Sequence, residues 1–251
     1  MQKIALISDI HGNIAALESV TADISARQVD GVINLGDHVS GPLWPKETIQ
    51  FLMAQSWINI LGNHDRQLIN QNPRDHGHSD RYAFERLNST ELDWLRSLPA
   101  SMRVQDDFLL LHGAPASDST YFLETVERGR TRLATPAEIK KRLGETQARI
   151  ILCGHTHIPR LIETSENTSI INPGSVGLQA YEDQLPEYYV TENGSHHARY
   201  AILEHKHGQW NVEFILVPYE YQKAAEQARK NGRLDWEIAL QTGYMRPPQA
   251  A

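Results

Sequence analysis

The chain has 251 residues, 40% of them apolar and 22% charged, which is ordinary for a globular protein and enough to bury a large core. A formal net charge of −7 argues against a basic surface that holds nucleic acid. It leaves room for a small phosphorylated substrate or a phosphoprotein, because local metal ions can outweigh a mildly acidic surface. The single cysteine, Cys153, rules out an intrachain disulfide. No run reaches the ~18–20 apolar residues a membrane span needs, and no signal-peptide core follows Met1-Gln2-Lys3, so a cytoplasmic location is expected.

In chain order, Lys3 to Ser8 reads as a buried strand running into Asp9-Ile10-His11-Gly12-Asn13, where Asn13 can cap a helix bearing Ile14, Leu17, Val20 and Ile24 on one face. Val32 to Leu35 predicts a second buried strand, ending at Gly36-Asp37. Pro45 suits the first turn of a helix that packs through Ile49, Leu52 and Met53. A third strand, Trp57 to Leu61, ends at Gly62-Asn63-His64-Asp65. This rhythm implies right-handed parallel crossovers, with the polar clusters at the carboxyl ends of the strands.

Residues 66–100 read as a polar, mostly helical insertion, with Thr90 to Asp93 as a capping box. Met102 to Leu111 predicts a hairpin delivering His112-Gly113. Thr135-Pro136 with Glu138 starts another helix, and the strand Arg149 to Cys153 delivers Gly154-His155-Thr156-His157. The texture then turns to β, with strands at Arg160 to Ile162, Ser169 to Ile171, Tyr200 to His205 and Trp210 to Val217. Two helices follow, Tyr221 to Asn231 and Leu234 to Thr242, and the tail 247–251 is expected to fray. The predicted organisation is one domain over 1–217, carrying the insertion, and a helical extension over 218–251 packed on it.

Five of these predicted strands share one design, an apolar run followed at once by oxygen or nitrogen ligands. In three of the five clusters a glycine directly precedes the polar residue and lets the backbone turn tightly. Imidazole, carboxylate and amide donors suit borderline and hard divalent metals rather than a thiolate site.

The ordered blocks Asp9-x-His11, Gly36-Asp37, Gly62-Asn63-His64-Asp65, His112 and Gly154-His155-Thr156-His157 resemble the calcineurin-like metallophosphoesterases, and the Asn172-Pro173-Gly174-Ser175 loop is similar to that of the family's small bacterial phosphodiesterase and phosphatase branch. The resemblance implies an α/β fold, a four-layer αββα sandwich of two mixed β-sheets flanked by helices. It implies two divalent ions, Mn²⁺ first, with Fe, Zn²⁺ or Ni²⁺ as alternatives. Asp9, His11, Asp37 and His157 would hold the first, and Asp37, Asn63, His112 and His155 the second, with Asp37 bridging. The implied activity is hydrolysis of phosphomonoesters or phosphodiesters by a metal-bridged hydroxide. His64 would act as general acid, with Asp65 orienting its imidazole and raising its pKa.

The substrates implied range over protein phosphoserine and phosphothreonine, dinucleoside polyphosphates, cyclic nucleotides and generic phosphodiesters. The family also holds a non-catalytic scaffold branch, which departs from the motif at the catalytic histidine; here Gly62-Asn63-His64-Asp65 is intact. His38 is expected to be a hydrogen-bonded loop residue, Cys153 a core residue, and His196, His197, His205 and His207 surface residues. Arg66, Arg74, His76, His78 and Arg81 make the insertion locally basic, more simply a solvated face than an anion site. Ser175 lies in no nucleophile-elbow pattern.

Overall fold

Alternation along the first strand decides the layering. In β1 (Lys3–Ile7), Ile4 and Leu6 point to one side and Ala5 and Ile7 to the other, because successive strand side chains take opposite faces. The computed structural model describes residues 2–105 and 108–246. β1 pairs in parallel with β2 (Gly31–Asn34), which pairs in parallel with the two-residue β3 (Ile58–Asn59). On its other edge β1 meets the long antiparallel hairpin of β13 (Ala198–Lys206) and β14 (Gln209–Val217).

A second five-stranded mixed sheet has the order β4 (Met102–Val104), β5 (Phe108–Leu110), β8 (Ile150–Leu152), β10 (Ser169–Asn172), β9 (Arg160–Glu163). Ile4, Leu6, Ile33 and Leu35 of the first sheet pack on Phe108, Leu110, Ile150 and Leu152 of the second, forming the central apolar layer. The outer face of the first sheet is covered by Leu17, Val20 and Ile24 of α1 (Ile14–Ala26). Ile139 and Leu143 of α6 (Pro136–Leu143) cover the outer face of the second. The expected four-layer α/β sandwich is therefore present, with each layer set by the period of its own apolar residues.

Local chemistry explains several helix starts. Asn13 caps α1 by accepting a hydrogen bond from Ala16 N at 3.2 Å, and Thr135 and Glu138 form a reciprocal cap on α6. Between them, α2 (Pro45–Met53) begins on a proline, and the insertion folds as α3 (Asn63–Asn70), a 3₁₀ turn (Pro73–Asp75), α4 (His78–Phe84) and α5 (Ser89–Ser97).

Three expectations need correction. The capping box of α5 is Asn88 with Glu91, not Thr90 with Asp93: Asn88 Oδ1 accepts from Glu91 N at 3.0 Å and Glu91 Oε2 accepts from Asn88 N at 2.8 Å. Met53 is exposed, while Thr48 joins Ile49 and Leu52 on the buried face of α2. A further four-stranded sheet, β11 (Ala180–Asp183), β12 (Tyr189–Glu192), β7 (Arg130–Leu133), β6 (Glu124–Glu127), has no counterpart in the sequence reading. Its strands are short and charged, so no apolar alternation announces them. The turn of the expected hairpin at 106–107 and the tail 247–251 lie outside the described residues.

The C-terminal helices α7 (Tyr221–Lys230) and α8 (Leu234–Thr242) pack through Ala224, Ala225, Ala228, Trp236 and Leu240 on Leu43, Leu178 and Ala180. That contact places them over the carboxyl ends of the strands, where the polar clusters emerge. No helix among the described residues is long and apolar enough to cross a membrane.

Candidate metal centre

Three of the five clusters leave their strands through a backbone that side chains rarely adopt. Asp9, His11, Asp37, His155 and His157 all have φ between 52° and 71°. A residue held there costs on the order of 1–3 kcal/mol and persists only where its surroundings over-determine it. Here the fixing bonds are Asp9 N to Gly36 O, His11 N to Asp37 O and Gly177 N to Asp9 O, each 3.0 Å. Gly36 and Gly62 lie so close that a Cβ on Gly62 would overlap the Asp37 carboxylate. The glycines before the ligands therefore serve close approach between loops.

The residues named from the sequence converge as two groups. Asp9, His11 and His157 bring one donor atom each within 4.8 Å of one another, and Asp37, His112 and His155 do the same. Asp37 lies between the groups, its Oδ2 being 3.2 Å from His112 Nε2 and 3.8 Å from His11 Nε2. Asn63 Oδ1 sits 3.0 Å from His112 Nε2.

Hydrogen bonding behind the rings sets which nitrogen faces inward. His11 Nδ1 donates to Ser40 O, His112 Nδ1 to Leu35 O and His157 Nδ1 to Leu178 O, each at 2.7 Å. A carbonyl can only accept, so these Nδ1 atoms carry hydrogens and the Nε2 atoms point into the site. His11 Nε2 and His157 Nε2 are 3.1 Å apart. Two lone pairs that close repel unless a proton or a cation lies between them. The buried Asp9 Oδ1 has no hydrogen-bond partner among the described residues, and a cation would satisfy it. The donor set thus fits two divalent ions.

Electrostatics divides the histidines. Burial, then the neighbouring His157, pushes His11 down to about 4, and burial, then His112, pushes His155 down to about 3. Burial also opposes charge on His112, but the Asp37 carboxylate wins and raises it to about 10. Asp37 is itself held well below the usual carboxylate range: burial opposes this, and the His112 and His64 charges outweigh it.

His64 stands beside the two groups, its ring 5.6 Å from that of His11 and its side chain about one-third exposed (35%). The orienting role given to Asp65 is not what the structure shows. Asp65 is fully buried and accepts from Asp37 N (2.8 Å), His38 N (3.0 Å), Gly62 N (2.9 Å) and His38 Nδ1 (2.6 Å). It ties the Asp37 loop to the Asn63 loop. The carboxylate on His64 is Asp80, from α4, with Oδ1 2.9 Å from His64 Nδ1 and 2.5 Å from the Ser40 hydroxyl. Enclosure disfavours charge on His64, yet Asp37 and then Asp80 raise it to about 9.

Of the other residues singled out, His38 is the buried hydrogen-bonded histidine expected. Cys153 is buried in the core of the second sheet, where burial pushes its thiol well up. Ser175 Oγ donates to Asp9 O at 2.8 Å and accepts from Leu178 N at 2.9 Å, a loop tie rather than a nucleophile. His205 and His207 sit at the exposed end of the β13–β14 hairpin, while His196 is half-buried, stacked on Tyr221 with ring centroids 3.8 Å apart. Arg66 pairs with Asp118, Arg81 donates to backbone carbonyls and His76 is buried against Phe84, while Arg74 and His78 are exposed.

Two cavities open from the groups. One, of about 290 Å³, is lined by His11, His64, Ser79, Arg233 and Trp236 among others; a second, of about 540 Å³, by Gln67, Thr120, Glu124 and Arg142. Both touch Asn63, Tyr121, His155 and Asp183. Asp80, Ser79, Arg233 and Trp236 were not legible in the sequence, because no motif marks them.

Residues 2–195 match the family model of the calcineurin-like phosphoesterase superfamily domain. The chain belongs to that superfamily. A metallophosphoesterase structure from Sphaerobacter thermophilus superposes with a TM-score of 0.74 at 26% identity, covering 95% of this chain and 98% of the other. An uncharacterized protein of Methanocaldococcus jannaschii is 23% identical, with 93% of this chain and 94% of that protein covered. A probable metallophosphoesterase of Mycoplasma pneumoniae is 24% identical over 75% of this chain and 87% of its own length.

Proposed function

We propose that this chain is a dinuclear metal-dependent phosphoesterase acting on small phosphodiesters. The observation that carries the reading is the pair of adjacent three-residue donor groups, with Asp37 of one reaching to 3.8 Å from His11 of the other and the Asp80-linked His64 beside them in the same cavity. Asp9, His11, Asp37 and His157 would hold one ion, and Asp37, Asn63, His112 and His155 the other. Mn²⁺ is the first candidate, since mixed imidazole and oxygen donors accept it and availability decides occupancy. Bound there, the two cations would neutralise phosphoryl charge and acidify the attacking water.

The protein's own residues supply the rest. A water oxygen bonds to phosphorus as the bond to the leaving oxygen breaks, and the proton that water loses passes to solvent. His64, with Nδ1 held by Asp80, offers its other nitrogen to that oxygen and transfers a proton to it. Diesters are favoured because two adjoining cavities open from the donor groups, room for two ester arms, and only one of them contains His64. The leaving arm therefore belongs in the His64 cavity.

The test is turnover of bis(p-nitrophenyl) phosphate against p-nitrophenyl phosphate with added Mn²⁺. Faster diester turnover, with His64→Ala keeping both metals while losing turnover, is the expected result. Two bound metals with no hydrolysis of any phosphoester would favour a non-catalytic scaffold instead.

A further inference from the structure

Arg233 faces the His64 cavity from a segment that the metal blocks do not include. Among the described residues lining that cavity it is the one guanidinium or ammonium group. Its Nε and Nη2 donate to the Asp235 carboxylate, at 2.9 and 2.6 Å, and its Nη1 donates to Ser79 Oγ at 2.9 Å. The guanidinium carbon lies 5.5 Å from the Trp236 ring, and the side chain is still 23% exposed. One edge of the group is thus locked. By count each terminal nitrogen keeps a second hydrogen, which a carboxylate or phosphate oxygen could accept.

The acidic residues of the same cavity have other partners, Asp37 facing His112 and His11. Glu182 accepts from the Tyr188 hydroxyl at 2.8 Å, and Asp183 Oδ1 accepts from Gln184 N and Leu185 N. Both lie on the exposed rim. Arg233 is fixed in place by the C-terminal helices, since Trp236 of α8 is buried against Leu43 and Leu178, and Asn231 donates to Pro42 O at 2.7 Å and to Tyr82 Oη at 2.8 Å. A guanidinium already fixed in the wall of the leaving-arm cavity costs little ordering when an anion arrives.

We infer that Arg233 is a specificity-determining residue, selecting phosphodiesters whose leaving group carries a second anionic group. The inference rests on the phosphoesterase reading and on the assignment of the leaving arm to the His64 cavity.

A matched pair of chromogenic diesters tests it: methyl 4-nitrophenyl phosphate, and methyl 3-carboxy-4-nitrophenyl phosphate, whose leaving phenol bears a carboxylate. Wild-type protein loaded with Mn²⁺ should prefer the carboxylated diester by kcat/KM, after correction for the two phenols' intrinsic leaving ability. Arg233→Gln should collapse that ratio about 10- to 100-fold, the value of a charge-assisted hydrogen-bonded contact. Arg233→Lys should retain part of the preference, and Ser79→Ala most of it. A parallel fall on both diesters in Arg233→Gln, leaving the ratio unmoved, would mean that Arg233 only braces Ser79, and would overturn the proposal. So would a wild-type protein with no preference. Failure of the wild type on both diesters would instead sink the phosphoesterase reading, and this inference with it.

Discussion

Asp80 Oδ1 lies 2.9 Å from His64 Nδ1, so an insertion helix, not the residue after the histidine, supplies the carboxylate that faces the imidazole. Asp80 is 3% exposed and its other close partner is the Ser40 hydroxyl, which ties the pair to the Asp37 loop.

Asp80→Asn should therefore lower kcat by roughly 10- to 100-fold while both metals stay bound. An acid is active in its protonated form, so activity is lost as pH rises through the pKa of His64. Asp37 and Asp80 raise that pKa to about 9, and removing the Asp80 charge lowers it. The alkaline limb of the kcat profile should move to lower pH. An unmoved limb, or metal loss equal to the activity loss, would contradict this.

Asp65→Asn should behave differently. The carboxylate accepts four hydrogen bonds that join the Asp37, His38 and Gly62 segments, and an amide would turn a donor toward donors. Losing buried charge-assisted bonds of this kind costs about 3 kcal/mol. Urea unfolding should show that loss, and metal content should fall with it. Full stability and full metal content with only kcat reduced would return Asp65 to the role first read from the sequence.

Metal binding should release protons. In the metal-free protein Asp37 keeps His112 charged up to about pH 10, whereas His11 and His155 are neutral above about pH 4. A cation needs neutral imidazole, so His112 must give up its Nε2 hydrogen, about one proton per protein at pH 7.5. Calorimetric titration with Mn²⁺ in buffers of different ionisation enthalpy reads that number directly. Proton uptake, or none exchanged, would be incompatible with the electrostatics described above.

Phe108→Ala probes the central layer. The ring is fully buried between the two five-stranded sheets and packs edge-on to Trp210 with centroids 4.9 Å apart. Removing a buried aromatic ring costs about 3–5 kcal/mol, transfer and cavity together. A change under 1 kcal/mol in urea unfolding would mean that the sheets close around the gap.

Proximity in sequence is what made the donor groups readable. Asp9 and His11, Gly36 and Asp37, and His155 and His157 each sit directly after a short apolar strand, and strand ends in such sheets meet at one edge. Periodicity likewise revealed both faces of β1 and the buried stripe of α1. The β6–β7 and β11–β12 hairpins stayed hidden because strands such as Glu124–Glu127 and Arg130–Leu133 carry no apolar alternation of their own, and the two hairpins become one sheet only where Val190 pairs with Arg130, distant in the chain.

His64 illustrates the division most sharply. Its place after Asn63 on a strand-to-helix turn follows from local sequence, and so does its nearness to the donor groups. Its partner does not. Asp65 is the adjacent carboxylate, but as a helix residue next to His64 it points elsewhere, into the backbone amides at the start of α3 and the end of β2. Asp80 and Arg233 reach the cavity only because α4 and the α7–α8 pair pack over the strand ends. The candidate donor groups and the fold class were written in short-range pattern and strand period. The carboxylate behind His64 and the guanidinium in its cavity come from contacts between distant segments, which only packing of the folded chain brings within hydrogen-bond range.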